Sequence, residues 1–241
     1  KLIKTIMQED RINELIPLQE ALFYTFEDLE LLNKALTHKS YSNETPLVVK
    51  NNERLEFLGD SVLDLIVSDY MFLTYQGLPE GPLSKIRAAT VNENCLAELA
   101  RNINLGSYLL LGKGESFSGG RQKPSILANA YEAIVGAIFC DSDFQTTADV
   151  FLPQLIKKID SCRDACMSTD FKSDLQEYTQ SRFSCVPLYK VVRESGPCHK
   201  KQFDVKVIIR SHLQGTGKGR TKKEAEQNAA KEALNNFLAD D

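Results

Sequence analysis

The sequence has no apolar run that approaches the ~18 residues of a membrane-spanning helix, which argues against an integral membrane protein. The first twenty residues mix charged and apolar side chains, so we expect no secretory signal among them. Six cysteines and only three histidines are present, and no two cysteines form a Cys-x-x-Cys pair. This pattern argues against zinc and favours reduced thiols in a cytoplasmic protein.

The composition is that of an ordinary globular protein, with 42% hydrophobic and 26% charged residues in 241 positions. This length is sufficient for one large or two modest domains. The net charge of −4 is unevenly distributed: residues 1–170 carry 16 Lys and Arg against 24 Asp and Glu, whereas residues 171–241 carry 13 against 9. An acidic body joined to a basic module suggests a metal-dependent site on the first part and a polyanion-binding surface on the second.

Residues 51–66 carry the strongest pattern in the chain. At roughly 100° per residue, four carboxylates fall within about 80° of one another on a helix, and apolar residues gather on the far side. The four acids are Glu53, Glu56, Asp60 and Asp64. Because like charges one turn apart repel, a hard cation such as Mg²⁺ lying against the row would relieve a cost. The alternative is a solvated acidic face, and Phe57, which falls beside the acids, is expected to be exposed in a lone subunit.

The pattern of residues 125–139 predicts a second helix that carries candidate metal ligands. Its many small residues suit a helix packed tightly in a core. Asn129 and Glu132 are three positions apart and therefore share a face. A buried glutamate on so apolar a helix would be costly unless it were paired or metal-bound, so Glu132 is a candidate ligand on physical grounds alone.

The pattern changes after residue 160. Helical periodicity is lost over 160–169, which predicts a linker, and an α-β-β-β-α order follows, with strands near 187–194, 201–210 and 212–217 and a last helix over 222–238. Thr221 begins a Thr-Lys-Lys-Glu capping box. Lys222 and Lys223 lie in the first turn, where the helix dipole disfavours cations, so either a bound phosphate or simple solvation must account for them.

Glu-Arg-Leu-Glu-Phe-Leu-Gly-Asp at 53–60 closely resembles the signature of the ribonuclease III family, the double-stranded-RNA endonucleases. The segments at 35–41 and 84–88 also resemble this family. The segments at 175–180, 196–203 and 221–230 resemble a double-stranded RNA-binding domain. The resemblance implies an all-α endonuclease and dimerisation domain at 1–160, a linker at 161–169, and a small α+β double-stranded RNA-binding domain at 170–241.

The implied activity is Mg²⁺-dependent hydrolysis of phosphodiester bonds in double-stranded RNA, with Mn²⁺ able to substitute, leaving 5′-phosphate and 3′-hydroxyl ends. It would serve RNA processing, including that of ribosomal RNA precursors, without an organic cofactor. The residues implied to hold the metal are Glu56, Asp60, Asn129 and Glu132, with Asp60 and Glu132 catalytic and Glu53 and Glu80 as auxiliary acids. An exposed turn glutamate is an equally plausible role for Glu80.

The resemblance also implies partners. Gln176, Gln180 and His199 would contact the minor groove of an RNA duplex, while Lys222 and Lys223 would bind phosphates across the major groove. The nuclease domain would form a homodimer in which Phe57 inserts into the partner. One departure stands out, because the family usually carries Asp where this chain has Asn129; a neutral amide predicts weaker metal binding. It also leaves open a competing hypothesis, a double-stranded RNA-binding protein whose nuclease fold has lost its chemistry.

Overall fold

The computed structural model describes residues 7–45, 49–167, 170–197 and 201–239. The chain divides into two compact units, residues 1–163 and 164–241. The first unit is built from helices, which in chain order are α1 (Glu9–Leu22), α2 (Leu29–Ala35), α3 (Lys39–Glu44), α4 (Glu53–Thr74), α5 (Glu80–Thr90), α6 (Glu93–Asn102), α7 (Leu105–Tyr108), α8 (Lys113–Phe117), a 3₁₀ helix (Gly120–Gln122), α9 (Pro124–Asp141) and α10 (Phe144–Met167).

Helix α9 forms the centre of the first unit. It packs against α4, α6 and α2, and its residues from Ile126 to Ile138 are buried except at Asn129 and Glu132. The small residues Ala130, Ala133 and Ala137 are fully buried, which allows the neighbouring helices to approach closely. The prediction of a tightly packed core helix is therefore confirmed, and Asn129 and Glu132, the two exceptions to this burial, are the residues singled out by their chemistry.

Three segments form helix despite local sequence signals against one: a proline, a run of glycines and a loss of periodicity. Helix α1 continues through Pro17, because the full burial of Leu15, Leu18 and Leu22 offsets the lost backbone hydrogen bond. The glycine-rich segment 111–121 contains helix α8. The segment 160–167, part of the predicted linker, continues α10 as helix, and the boundary between the two units lies within it. None of residues 160–166 is buried, so the sequence carries no apolar stripe to indicate a helix there.

The second unit has the predicted α-β-β-β-α order. Its elements are α11 (Phe171–Phe183), β1 (Leu188–Ser195), β2 (Gln202–Ile209), β3 (His212–Gly219) and α12 (Lys222–Ala239). The strands form an antiparallel sheet in the order β1-β2-β3. Alternate residues of β2, from Phe203 to Ile209, are buried against Leu175 of α11 and the alanines of α12. This period-two burial confirms the alternation seen in the sequence.

Candidate active site and nucleic-acid interface

Helices α4 and α9 cross in direct backbone contact at two glycines. A Cβ atom added to Gly59 would lie inside van der Waals contact of the Glu132 carbonyl and 2.9 Å from the Gly136 nitrogen. A Cβ at Gly136 would clash with the Leu55 carbonyl and lie 3.1 Å from the Gly59 nitrogen. Only hydrogen side chains permit so close a crossing. It brings the acids of α4 beside Glu132 of α9, although the two helices are about 70 residues apart in sequence.

The start of α4 fixes the position of the first acids. Asn52 occupies the N-cap position, but its buried side chain donates to the Ala35 carbonyl at 3.2 Å. The Asn51 side chain instead accepts from the Glu53 backbone N–H at 3.3 Å. Lys39 lies 3.4 Å from the Glu53 carboxylate, so Glu53 has a cation beside it at the outer end of the row.

Among the acids of this cluster, Glu132 has its charged form disfavoured most strongly. Its pKa is raised to about 7. Burial is the largest cause, and repulsion from the carboxylates of Asp60, Glu56 and Asp64 adds to it. The structure therefore brings three of the four acids of the α4 row within electrostatic reach of Glu132 on α9, and their negative charges all disfavour its ionisation.

Asn129 lies on the same face of α9 and interacts with Glu56. Burial and the neighbouring Glu53 raise the pKa of Glu56, whereas hydrogen bonding from the Asn129 amide lowers it. An aspartate at this position could not donate this hydrogen bond and would repel Glu56. The amide therefore stabilises the carboxylate cluster in the absence of a cation.

Sequence reasoning missed the cation at the inner end of the row. Arg87 of α5 lies 3.8 Å from the Asp64 carboxylate and donates to the Ser68 hydroxyl at 3.0 Å. Burial raises the pKa of Asp64, and Arg87 opposes this rise. The signal was an arginine in the family-like segment 84–88, but the sequence does not show that α5 lies beside α4.

The donor set suits a hard divalent cation, since the carboxylates and the Asn129 amide offer oxygen ligands, and burial together with the neighbouring carboxylates raises the pKa of Glu132. Within the described parts of the chain, no group of three or more His, Cys, Asp or Glu side chains stands in an arrangement that could hold an ion. An arriving cation would have to draw the carboxylates together.

Glu80 and Phe57 lie outside this cluster. Glu80 begins α5, accepts from the Ser84 hydroxyl at 2.7 Å, and lines a pocket between α4 and α5 with Leu65 and Phe72. It is not among the acids that raise the pKa of Glu132. The Phe57 side chain is 79% exposed, which confirms the exposure expected for a lone subunit. Leu65 of α4 is also exposed.

In the second unit, Gln176 and Gln180 are exposed and one turn apart on α11. Lys222 and Lys223 are exposed in the first turn of α12, and Lys222 lies 3.1 Å from the Glu194 carboxylate. The capping-box pattern is present in a shifted form: Thr221 accepts from the Glu224 N–H, while the Glu224 side chain accepts from the Arg220 N–H. His199 lies outside the described residues.

Comparisons with known proteins agree with the order of the two units along the chain. A family model described as Ribonuclease-III-like matches residues 28–159, and a model described as Double-stranded RNA binding motif matches residues 171–237. Ribonuclease 3 of a Nitratiruptor species is 44% identical over 223 residues, which cover 92% of this chain and 96% of that protein. Ribonuclease 3 of Treponema denticola is 42% identical over 238 residues, which cover 99% of this chain and 97% of that protein. The chain belongs to the ribonuclease III family.

It is accordingly a ribonuclease III-type endonuclease that acts on double-stranded RNA. The nuclease domain of ribonuclease III from Campylobacter jejuni is similar in structure, with a TM-score of 0.56 and 45% sequence identity, and the match covers 60% of this chain and 97% of that one. That nuclease domain is described as structurally flexible in the region involved in dimer formation. Among the residues described for this ribonuclease III chain, no helix is both long and apolar enough to cross a bilayer.

Proposed function

We propose that this enzyme cleaves double-stranded RNA with Mg²⁺, or with Mn²⁺ as a substitute, and leaves 5′-phosphate and 3′-hydroxyl ends. The observation that carries the proposal is the position of Glu132 opposite the α4 carboxylates, with a pKa raised to about 7 by burial and by those carboxylates. A site that binds and releases a divalent cation needs such uncompensated oxygen ligands. Ribosomal RNA precursors and other structured transcripts are the proposed substrates.

In this proposal Glu56, Asp60, Asn129 and Glu132 hold the metal, and Glu53 and Glu80 are auxiliary acids. When bound, the metal supplies a Lewis acid that activates water and neutralises charge on the phosphodiester. The close crossing at Gly59 positions Glu132 against Glu56 and Asp60, as a metal site on rigid elements requires. Asp60 and Glu132 are the proposed catalytic residues.

The proposed assembly is a homodimer of nuclease domains. Four large apolar side chains of α4 are exposed, namely those of Phe57, Leu65, Phe72 and Leu73. So many exposed apolar side chains on one helix are unusual on a free surface. The pocket between α4 and α5 is also lined largely by apolar groups. The nuclease domain from Campylobacter jejuni, which is similar in structure, has a region involved in dimer formation, and this supports a homodimer here. Each subunit would bury its Phe57 in the contact.

The proposed RNA contacts of the second unit are Gln176 and Gln180 to the minor groove and Lys222 and Lys223 to phosphates, with His199 as a further contact. The exposure of the four described side chains supports this assignment. The proposed location is the cytoplasm. It is supported by Cys95, Cys140, Cys162 and Cys185, none of which forms a disulfide among the described residues.

A cleavage assay on a long RNA duplex with a Mg²⁺ titration tests the proposed chemistry. The wild-type enzyme should cut the duplex, and mapping of the product ends should show 5′-phosphates and 3′-hydroxyls. Glu132→Gln should retard the RNA in a gel without cutting it. Wild-type protein that binds the duplex but leaves it intact at every Mg²⁺ concentration would favour the competing hypothesis, a binding protein with a lost active site, which Asn129 makes worth testing.

A further inference from the structure

One carboxylate in the second unit holds two lysines that come from different elements. Glu194 is near the end of β1, and its Oε1 atom lies 3.1 Å from the Nζ atom of Lys222 in α12. Its Oε2 atom lies 3.3 Å from the Nζ atom of Lys201, just before β2. Both ammonium groups also lie over the ring of Phe203, at 5.6 and 5.8 Å from its centroid. These four residues form one local arrangement, here called the Glu194 cluster.

The Glu194 cluster is charged and open to solvent. Hydrogen bonds from Lys222 and Lys201 hold the pKa of Glu194 below its usual range, so its side chain is an anion at neutral pH. The side chains of Glu194 and Lys222 are 39% and 59% exposed. Ion pairs with this exposure are weak and exchange readily with other anions. An RNA phosphate approaching Lys222 would therefore meet a cation that is already neutralised, but not irreversibly occupied.

We propose that Glu194 is an intramolecular competitor of the RNA phosphate for Lys222 and Lys201. This inference rests on the proposed role of Lys222 as a phosphate ligand. The carboxylate occupies the place of a phosphate in the free protein and must yield the lysines, or repel the phosphate, when RNA binds. Glu194 thereby sets the affinity of the RNA-binding domain lower than its lysines alone would give.

The exchange has a distinctive salt signature. Binding of a phosphate to a free lysine releases the counterions of that phosphate, which makes affinity fall with salt. In the wild-type protein the charge of Glu194 cancels one of the positive charges that Lys222 and Lys201 offer to RNA, so fewer counterions are displaced and these lysines contribute less to the salt dependence. Neutralising Glu194 should therefore tighten binding and also steepen its salt dependence, two effects that loss of a purely structural ion pair would not produce.

The test measures binding of the full chain to a short RNA duplex by fluorescence anisotropy in EDTA, where no cleavage occurs, at NaCl concentrations between about 50 and 300 mM, a range over which phosphate contacts weaken measurably. Glu194→Gln should bind roughly three- to tenfold more tightly near 0.15 M salt, as expected for removal of one screened charge beside a phosphate. The slope of log affinity against log salt should steepen by up to about one. Unchanged or weaker binding by Glu194→Gln would overturn the inference.

Glu232→Gln is a matched control because it makes the same charge change elsewhere in the second unit, on α12, the helix that carries Lys222. Glu232 is ten positions after Lys222, about 15 Å along the helix, beyond the ~8 Å Debye length at this salt. The RNA affinity and salt slope of Glu232→Gln should equal those of the wild type. A gain in affinity as large as that of Glu194→Gln would point to net charge and refute a local role for Glu194.

Lys222→Gln separates failure of this inference from failure of the proposed function. If Lys222 binds phosphate, this variant should bind RNA more weakly, and Glu194→Gln should give a smaller gain in its background. Weaker binding by Lys222→Gln together with no gain from Glu194→Gln would overturn only the competition by Glu194. Wild-type binding by Lys222→Gln would overturn the phosphate role of Lys222 and, with it, the inference.

Discussion

Replacing Glu132 by glutamine should remove activity and yet stabilise the metal-free enzyme. The pKa of this carboxyl rises from an ordinary value of 4.5 to about 7, because burial and the acids of α4 disfavour its charged form. A rise of this size corresponds to a loss of about 3.4 kcal/mol of folding free energy at high pH, as an upper bound. Since Glu132 is only half-buried, screening by solvent reduces the expected gain to about 1–2 kcal/mol.

The sign of the pH dependence follows from proton linkage. A carboxyl whose pKa is higher in the folded state binds more protons when folded between pH 4.5 and 7, so the free energy of unfolding falls as pH rises through this window. Below it, the wild type and Glu132→Gln should have similar stability. Above pH 7 the variant should be more stable by the full ~1–2 kcal/mol, or roughly 2–8 °C in Tm for a domain of this size.

Thermal unfolding followed by circular dichroism in EDTA at pH 5 and pH 8 provides the measurement. Addition of about 10 mM Mg²⁺ at pH 8 should raise the Tm of the wild type, because an ion that binds only the folded state stabilises it, and should raise that of Glu132→Gln much less. Glu98→Gln is a control: this acid pairs with Lys158 on the surface, so its loss should not raise the Tm. The reasoning fails if the stability difference between the wild type and Glu132→Gln is the same at pH 5 and pH 8.

The nuclease domain supports three further predictions. Gly59→Ala should cost about 3 kcal/mol or more, because the added methyl meets backbone rather than a movable side chain, whereas Gly114→Ala, which meets nothing within 4 Å, should be nearly neutral in urea unfolding. Asn129→Asp should lower the Mg²⁺ concentration for half-maximal cleavage but also lower the Tm in EDTA; a higher Mg²⁺ requirement would refute the ligand role. The wild type should sediment as a dimer at micromolar concentration and Phe57→Ala as a weaker one; a monomeric wild type would count strongly against the assembly.

The sequence was sufficient to predict features that depend on local periodicity. The α4 row, the packed face of α9 and the alternation in β2 all repeat with the period of one element, so they can be detected without knowledge of the neighbours. The order of elements in the second unit followed for the same reason. Helix formation at 160–167 was missed because a helix with no buried face leaves no periodic signal.

Features that depend on which elements meet could not be read from the sequence. Gly59 and Gly136 look like two ordinary helix glycines until the structure places one against the other. The pairings of Arg87 with Asp64 and of Lys222 with Glu194 likewise join residues from separate elements. Each pairing changes a prediction about charge: the first balances one acid of the row, and the second neutralises a lysine that the sequence suggested was free for phosphate.

Gly59 contributes to the packing that builds the site, whereas Glu132 contributes to its chemistry. The backbone contact at Gly59 is favourable packing, and it forces Glu132 towards the α4 acids, which is unfavourable until a cation arrives. Packing must therefore outweigh the repulsion in the metal-free enzyme, and the two kinds of variant should change stability in opposite directions. If Gly59→Ala and Glu132→Gln were both destabilising in EDTA at pH 8, the carboxylates would not be held together against their repulsion, and a different origin of metal binding would be needed.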